Sequence, residues 1–249
     1  MSTGWQVLPG DSEVLAVHAA TLQVEPAPSP TTDVFCAGHA MLGDGRLLVA
    51  GGTETFPHEM ETMHEGFTGL RDTWIFRPGP ETWVRAADLC HEPGKNTGGG
   101  RWYPTLVTLP DGRVWTAGSN HNGAQSFPEP NVDNRELRIE LYEPPYVGLS
   151  RPEIADVPTT ITCGEQFTLE TPHANSIGRV ALIRTGSVTH GFNPDQRYVA
   201  CGFERSGPNR LEVSAPPTSA IAPPGYYLLF VVTRNRIPSE GRFVRVKRA

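Results

Sequence analysis

The chain has 249 residues, 38% of them hydrophobic and 19% charged, and its 27 acidic against 21 basic side chains leave a net charge of -6. That length supplies a core for one large β domain or two modest ones, and no apolar run approaches the roughly 18 residues of a spanning helix, so no membrane partner is expected. With 26 glycines and 24 prolines, about a fifth of the chain, long helices are disfavoured and turn-dense β structure is favoured, while the lack of a G-X-Y period excludes collagen.

From the amino end, MSTGWQVLPGDSEVLAVHAA holds acids and no Lys/Arg-led apolar core. It does not read as a secretory signal peptide, and a chain starting at Met1 is expected to be cytoplasmic by default. Further on, Ala40 to Gly52 (AMLGDGRLLVAGG) aligns without a gap onto Val107 to Ser119 (VTLPDGRVWTAGS), an internal repeat at an offset of 67 residues. In each copy an Asp-Gly pair, Asp44-Gly45 or Asp111-Gly112, separates two apolar strands and predicts a hairpin. After the first copy, DTWIFRPG and TWVRAADL place Trp74 and Trp83 on two more strands flanking a Pro-Gly turn, which completes a four-stranded propeller blade. The second copy continues into RELRIELYEPPYV, a strand with alternating Leu137, Ile139 and Leu141 that ends at a Pro-Pro pair.

The repeat gives way to a different pattern between Tyr142 and Pro152, so residues 1–146 are expected to form incomplete blades and 147–249 a second domain. ITCGEQFTLET, RVALIRTGSVTH, NRLEVSAPP, GYYLLFVVTRN and GRFVRVK are spaced as in an antiparallel Ig-like sandwich of about seven strands. The predicted fold is therefore all-β: a partial propeller of about two blades followed by a sandwich. Residues 1–150 hold 19 acidic and 9 basic side chains and residues 151–249 hold 8 and 12, opposite signs that suit domains docking on each other. The basic half has no Lys/Arg stripe, so nucleic acid is not an expected partner. Propellers usually carry at least four blades, so the open edges here are expected to be covered by the sandwich or by a second copy in a homo-oligomer.

Four cysteines without a C-x-x-C pair give neither a zinc ribbon nor a disulfide scaffold. Cys36 follows Phe35 ahead of a hairpin, where an unpaired buried Cys is usually a small hydrophobe. Tyr103, beside Trp102, reads alone as a half-buried aromatic. His190, before Gly191 at a strand end with Asn193, Asp195 and Gln196 close behind, is either a capped loop residue or a metal ligand. His39 is a blade histidine one strand from Cys36 and a substitute ligand. His58 and His64 enclose HEMETMH, six apart rather than at the i,i+4 spacing of a zincin, and read as a solvated loop. A disulfide between Cys163 and Cys201 hangs on their Cα separation.

DVFCAGHAMLGDGRLLVAGG, GGRWYPTLVTLPDGRV and, above all, ALIRTGSVTHGFNPDQR with PPGYYLLFVVTRNRIPSEGRFVRV resemble the galactose oxidase and glyoxal oxidase family of copper radical oxidases, over most of the chain. The resemblance implies a kelch-type propeller followed by an Ig-like early-set sandwich. It implies an oxidoreductase that takes a primary alcohol or aldehyde to the next oxidation level while O2 is reduced to H2O2, with a small alcohol, aldehyde or carbohydrate as its partner, in a family that is often secreted. It also implies a thioether between Cys36 and Tyr103, with Tyr103 as radical and base, copper held by Tyr103 and His190, and His121 in the place of the family's stacking aromatic. Phenolate and imidazole in a tetragonal N,O arrangement suit Cu(II).

Two departures stand beside these matches. The family's axial Tyr and one equatorial His are adjacent, and no Tyr-His dipeptide occurs among the 249 residues. Pro104 stands where that His would follow if Tyr103 were the axial tyrosine, so Tyr103 matches either family tyrosine. The family propeller has about seven blades against the two expected here. Unless His39 or His121 joins Tyr103 and His190, weak copper binding and little or no turnover are expected. The alternative function is a catalytically silent carbohydrate-binding or protein-interaction module.

Overall fold

A computed structural model of the protein describes residues 28–56, 68–90, 99–118, 139–188 and 193–249. Every regular element among them is a strand and none is helical, as the glycine and proline content requires. The first repeat copy forms β1 (Gly38–Met41) and β2 (Leu47–Ala50), paired antiparallel with His39 opposite Val49. β3 (Thr53–Thr55) and β4 (Thr68–Gly69) make a small separate ladder. β5 (Thr73–Arg77) and β6 (Thr82–Arg85) then rejoin the first pair, giving the antiparallel order β1-β2-β5-β6 expected of one blade. Trp74 and Trp83 lie on these strands, and Trp83 packs on Phe76 with ring centroids 4.9 Å apart.

The second copy forms β7 (Thr105–Thr108) and β8 (Val114–Ala117), extended by β9 (Glu140–Tyr142). Its turn repeats that of the first copy. Gly45 N–H donates to Leu42 O at 2.9 Å and Gly112 N–H to Leu109 O at 2.9 Å, with φ of 85° and 86° at the two glycines. The Asp44 carboxylate accepts from the Arg46 backbone at 3.1 Å and its Nε at 2.6 Å, and Asp111 does the same with Arg113 at 3.0 and 2.7 Å. Only the glycine at the turn's end is left-handed, so the expected Asp-Gly hairpins are four-residue turns, 42–45 and 109–112, whose last residue is a left-handed glycine. The two copies lie side by side: Thr108 Oγ1 donates to the Met41 carbonyl at 2.6 Å, across the repeat offset of 67.

The aliphatic alternation at β9 faces solvent. Ile139 and Leu141 are 65% and 46% exposed, while the inward side carries Glu140. Its carboxylate faces the fully buried Arg101 guanidinium at 2.6 Å, and satisfying that charge outweighs burying two aliphatic side chains. Leu137 lies outside the described residues.

Among the described residues the sandwich has eight strands, close to the seven expected: β10 (Thr160–Thr162), β11 (Gln166–Glu170), β12 (Ile177–Arg184), β13 (Tyr198–Cys201), β14 (Phe203–Gly207), β15 (Arg210–Ser214), β16 (Gly225–Thr233) and β17 (Arg242–Lys247). They form sheets of order β10-β17-β16-β12-β13 and β11-β15-β14. ITCGEQFTLET, read as one strand, breaks at left-handed Gly164 and sends its halves to different sheets. β10 pairs parallel with β17, which departs from a purely antiparallel sandwich. β13 and β14, in RYVACGFERSG, were hidden by their mixed polar pattern. Leu169, Leu182, Leu211, Tyr227, Leu229 and Val244 fill the core, each aliphatic residue contributing roughly 2 kcal/mol by leaving water. Cys163 and Cys201 are free, buried thiols here, with Cys163 Sγ 3.8 Å from the Ala222 carbonyl, so no disulfide joins them.

The outer face of the larger sheet, Ile183, Leu228, Phe230 and Val232, packs on Met41 and Tyr198 between blade and sandwich. Each repeated turn stands on an arginine and a tyrosine. Gly45 lies against Arg179 and Tyr198, and Gly112 against Arg151 and Tyr146. Arg179 donates to the Asp44 carbonyl, and Arg151 to the carbonyls of Asp111, Pro238 and Ser239. The basic half meets the acidic half as expected, but through backbone oxygens.

Candidate functional site

Cys36 and Tyr103 are 67 residues apart, the repeat offset, and each sits just ahead of the first strand of its copy. Both have a left-handed backbone, φ 63° and 59°, which is an outlier for side chains of this size and costs on the order of 1–3 kcal/mol. The Tyr103 backbone N–H donates to the Cys36 carbonyl at 2.7 Å, so the two strained residues hold each other. Close backbone approach makes this possible. Gly52 N–H donates to Arg101 O at 3.0 Å, Arg101 N–H to Leu70 O at 2.9 Å, and a Cβ on Gly69 would lie 2.5 Å from the Arg101 backbone.

The side chains meet as well. The Cys36 thiol beside the Tyr103 hydroxyl, together with burial, pushes the phenol up to about 12. Burial raises the Cys36 thiol above its ordinary value, and the neighbouring polar groups of Tyr103, Thr53 and Trp102 offset only part of that. At neutral pH the pair is therefore a phenol against a thiol. Trp102 presents its ring edge-on to Tyr103, centroids 4.7 Å apart. Cys36 is buried while Tyr103 is 39% exposed, so the sulfur is sheltered and the aromatic side chain reaches solvent. Such an arrangement suits oxidative joining of sulfur to ring, followed by redox use of the phenol.

Arg101 positions this segment. Its guanidinium spans the Glu140 carboxylate and the Gly118 carbonyl at 2.7 Å, and Glu140 also accepts the Cys90 backbone N–H at 2.7 Å. Burial alone would raise Glu140, but the Cys90 N–H and Arg101 hold it below the ordinary glutamate value. Sequence reasoning passed over Arg101, Glu140 and Thr53. The one available signal was an arginine directly ahead of Trp102 and Tyr103 in GGRWYP.

His39 lies on β1 three residues past Cys36, and its carbonyl accepts Gln196 Nε2 at 2.7 Å. Gln196, on the segment between β12 and β13, thus reaches the blade at His39. Asn193, in the same loop, is buried against Gly186. His190, His121, His58 and His64 lie outside the described residues. Among the described residues no group of three or more His, Cys, Asp or Glu side chains gathers to hold a metal. The Tyr103 oxygen, partly exposed and beside Cys36, fits as one donor to Cu(II). Among the described residues no helix is long and apolar enough to cross a membrane.

Residues 151–246 match the family model described as Galactose oxidase-like, Early set domain. The chain as a whole is related to galactose oxidase of Gibberella zeae, 29% identical over 248 residues that cover 92% of this chain and 33% of that protein. It is likewise related to the Aldehyde oxidase GLOX of Vitis pseudoreticulata, 34% identical over 234 residues, 87% of this chain and 39% of the other. Among solved structures it superposes on a fungal alcohol oxidase of the AA5 family in complex with copper, with TM-score 0.72 and 20% identity over 90% of this chain and 45% of that one, a likeness of fold. The chain spans about a third of the length of the curated relatives it matches.

Proposed function

We propose that the chain is a copper radical oxidase-like protein in which Cys36 and Tyr103 are the cross-linkable pair and Tyr103 and His190 hold the metal. The domain division that goes with this reading is incomplete kelch-like blades over 1–146 and the early-set sandwich over 147–249. The observation that carries the reading is the pairing of the Cys36 and Tyr103 bends through the Tyr103 N–H to Cys36 carbonyl bond at 2.7 Å, supported by relatives named galactose oxidase and aldehyde oxidase.

Joining the two consumes the thiol hydrogen and one ring hydrogen. Dioxygen accepts both hydrogens and both electrons and leaves as H2O2, while a C–S bond forms. Copper, when bound, supplies a one-electron couple and a Lewis acid for an alcohol or aldehyde hydrate. The chain's own residues would do the rest: Tyr103, a phenol at neutral pH that would ionise when copper is held, would accept the substrate proton at its oxygen, Cys36 would fix the ring, and Trp102 packs against it at a centroid distance of 4.7 Å. Overall, RCH2OH and O2 give RCHO and H2O2, or an aldehyde hydrate and O2 give RCOOH and H2O2. With two family ligands in hand and no Tyr-His dipeptide, the reading gives weak copper binding and slow turnover.

The missing dipeptide favours the second reading, a silent carbohydrate-binding or interaction module. Equilibrium dialysis against Cu(II), with metal analysis of the protein compartment, separates them. The oxidase reading expects bound copper that is lost in Tyr103→Phe and His190→Ala, with H2O2 released from a primary alcohol or aldehyde. Copper-free wild-type protein overturns it.

A further inference from the structure

We propose that Thr53 is the positioning residue of the Cys36–Tyr103 pair: its buried hydroxyl ties the residue before Cys36 to the residue before Tyr103. Its use in cross-linking rests on the oxidase reading, while the positioning itself does not. Thr53 opens β3 and is 2% exposed. Its hydroxyl donates to the Phe35 carbonyl at 2.9 Å and accepts the Trp102 indole N–H at 3.2 Å. Phe35 and Trp102 are themselves 67 apart, so one oxygen bridges the same place in both repeat copies. The Thr53 backbone N–H adds a third tie, to Asp33 O at 3.2 Å, at the start of the turn that carries Cys36.

A hydroxyl has one donor and two acceptor sites, so Thr53 makes both side-chain bonds at once. That matters because both reactive residues are left-handed, and such backbones persist only where their surroundings over-determine them. The mutual Tyr103 to Cys36 bond fixes the pair to each other, and Thr53 fixes both to the sheet. Removing the hydroxyl takes away its bonds to the Phe35 carbonyl and the Trp102 indole together and lets the Cys36 turn open.

The four cysteines supply the test, on copper-free protein. A short pulse of iodoacetamide is followed by peptide mass analysis of Cys36, Cys90, Cys163 and Cys201 in wild type, Thr53→Val and Thr53→Ser. Cys90 is exposed and sets the chemical rate, while Cys163 and Cys201 are buried in the sandwich and report global opening. Labelling of Cys36 is expected to quicken at least roughly five-fold in Thr53→Val, five-fold being the effect of one lost hydrogen bond where two are lost here. Thr53→Ser is expected to stay within about two-fold of wild type, since the hydroxyl is kept. Cys163 and Cys201 stay slow in all three. A Cys36 rate unchanged in Thr53→Val, a rise shared by Cys163 and Cys201, or a Thr53→Ser that behaves like Thr53→Val overturns the assignment. Aerobic Cu(II) loading of wild type is run beside it. A failure to lose two hydrogens there sinks the oxidase reading and leaves the labelling result to decide Thr53.

Discussion

Tyr103 gives its backbone N–H to the carbonyl of Cys36 across 2.7 Å, and the two residues occupy one and the same position of a duplicated unit. The pair is therefore a product of the repeat. Two neighbouring copies each bend left-handed before their first strand, and the bends abut because β1 and β7 lie side by side. A thiol placed on one bend and a phenol on the other must meet.

That geometry predicts an inverted order of substitution. At an ordinary extended position Ala is more stabilising than Gly, but at φ 63° the Cβ itself is the burden. Cys36→Gly is expected to exceed Cys36→Ala in stability by about 1 kcal/mol, measured by urea unfolding. The usual order, with Ala the more stable, would show that the bend is not left-handed.

The Arg101 and Glu140 pair predicts a large asymmetry between single and double changes. Glu140→Ala leaves a fully buried guanidinium without its carboxylate and is expected to cost about 3 kcal/mol or more. Arg101→Met with Glu140→Leu removes both charges and is expected to recover most of that loss in the same denaturant titration.

Acid stability follows from the sign of three shifts. Glu140, Asp72 and Asp111 are all held below their ordinary values: burial pushes each one up, and neighbouring N–H donors and arginines more than offset it. A depressed folded-state value means the unfolded chain binds more protons in that window, so stability rises with pH there. The contribution is complete above the unfolded carboxylate range of about 4 and is lost as pH falls through the folded values. Thermal melts from neutral pH downward are expected to show this loss, with a shallower slope in Glu140→Gln.

Arg151 predicts a coupling between domains. It donates to the carbonyls of Asp111, Pro238 and Ser239, and its guanidinium lies over the Tyr146 ring at 5.6 Å. Arg151→Met is expected to cost about 2 kcal/mol and to split one unfolding transition into two, followed by tryptophan fluorescence for the blades and far-UV dichroism for the sandwich. Arg151→Lys is expected not to rescue it, because an ammonium cannot span three carbonyls as a planar fork does.

Much of this fold was legible in the sequence because it is written in local chemistry. The repeated Asp-Gly-Arg turns, the tryptophans on β5 and β6 and the apolar runs of β12, β16 and β17 each follow from turn residues and strand pattern. What escaped depends on contacts distant in sequence. The outward face of Ile139 and Leu141 is set by Arg101, 39 residues before Glu140. The parting of β10 from β11 is set by one left-handed glycine inside an otherwise continuous strand pattern. At the site, Cys36 and Tyr103 were recognised through resemblance, whereas their equivalence within the repeat and the bridge by Thr53 appear only once both copies are folded against each other.

The central claim, that Cys36 and Tyr103 are a cross-linkable pair, is tested most directly by intact mass after aerobic Cu(II) loading and chelation. The account predicts that wild type loses two hydrogens while Cys36→Ser and Tyr103→Phe keep theirs, with the loss mapped to the peptides that carry residues 36 and 103. A wild-type mass that stays unchanged under loading, with Cys36 still open to alkylation after unfolding, would contradict it.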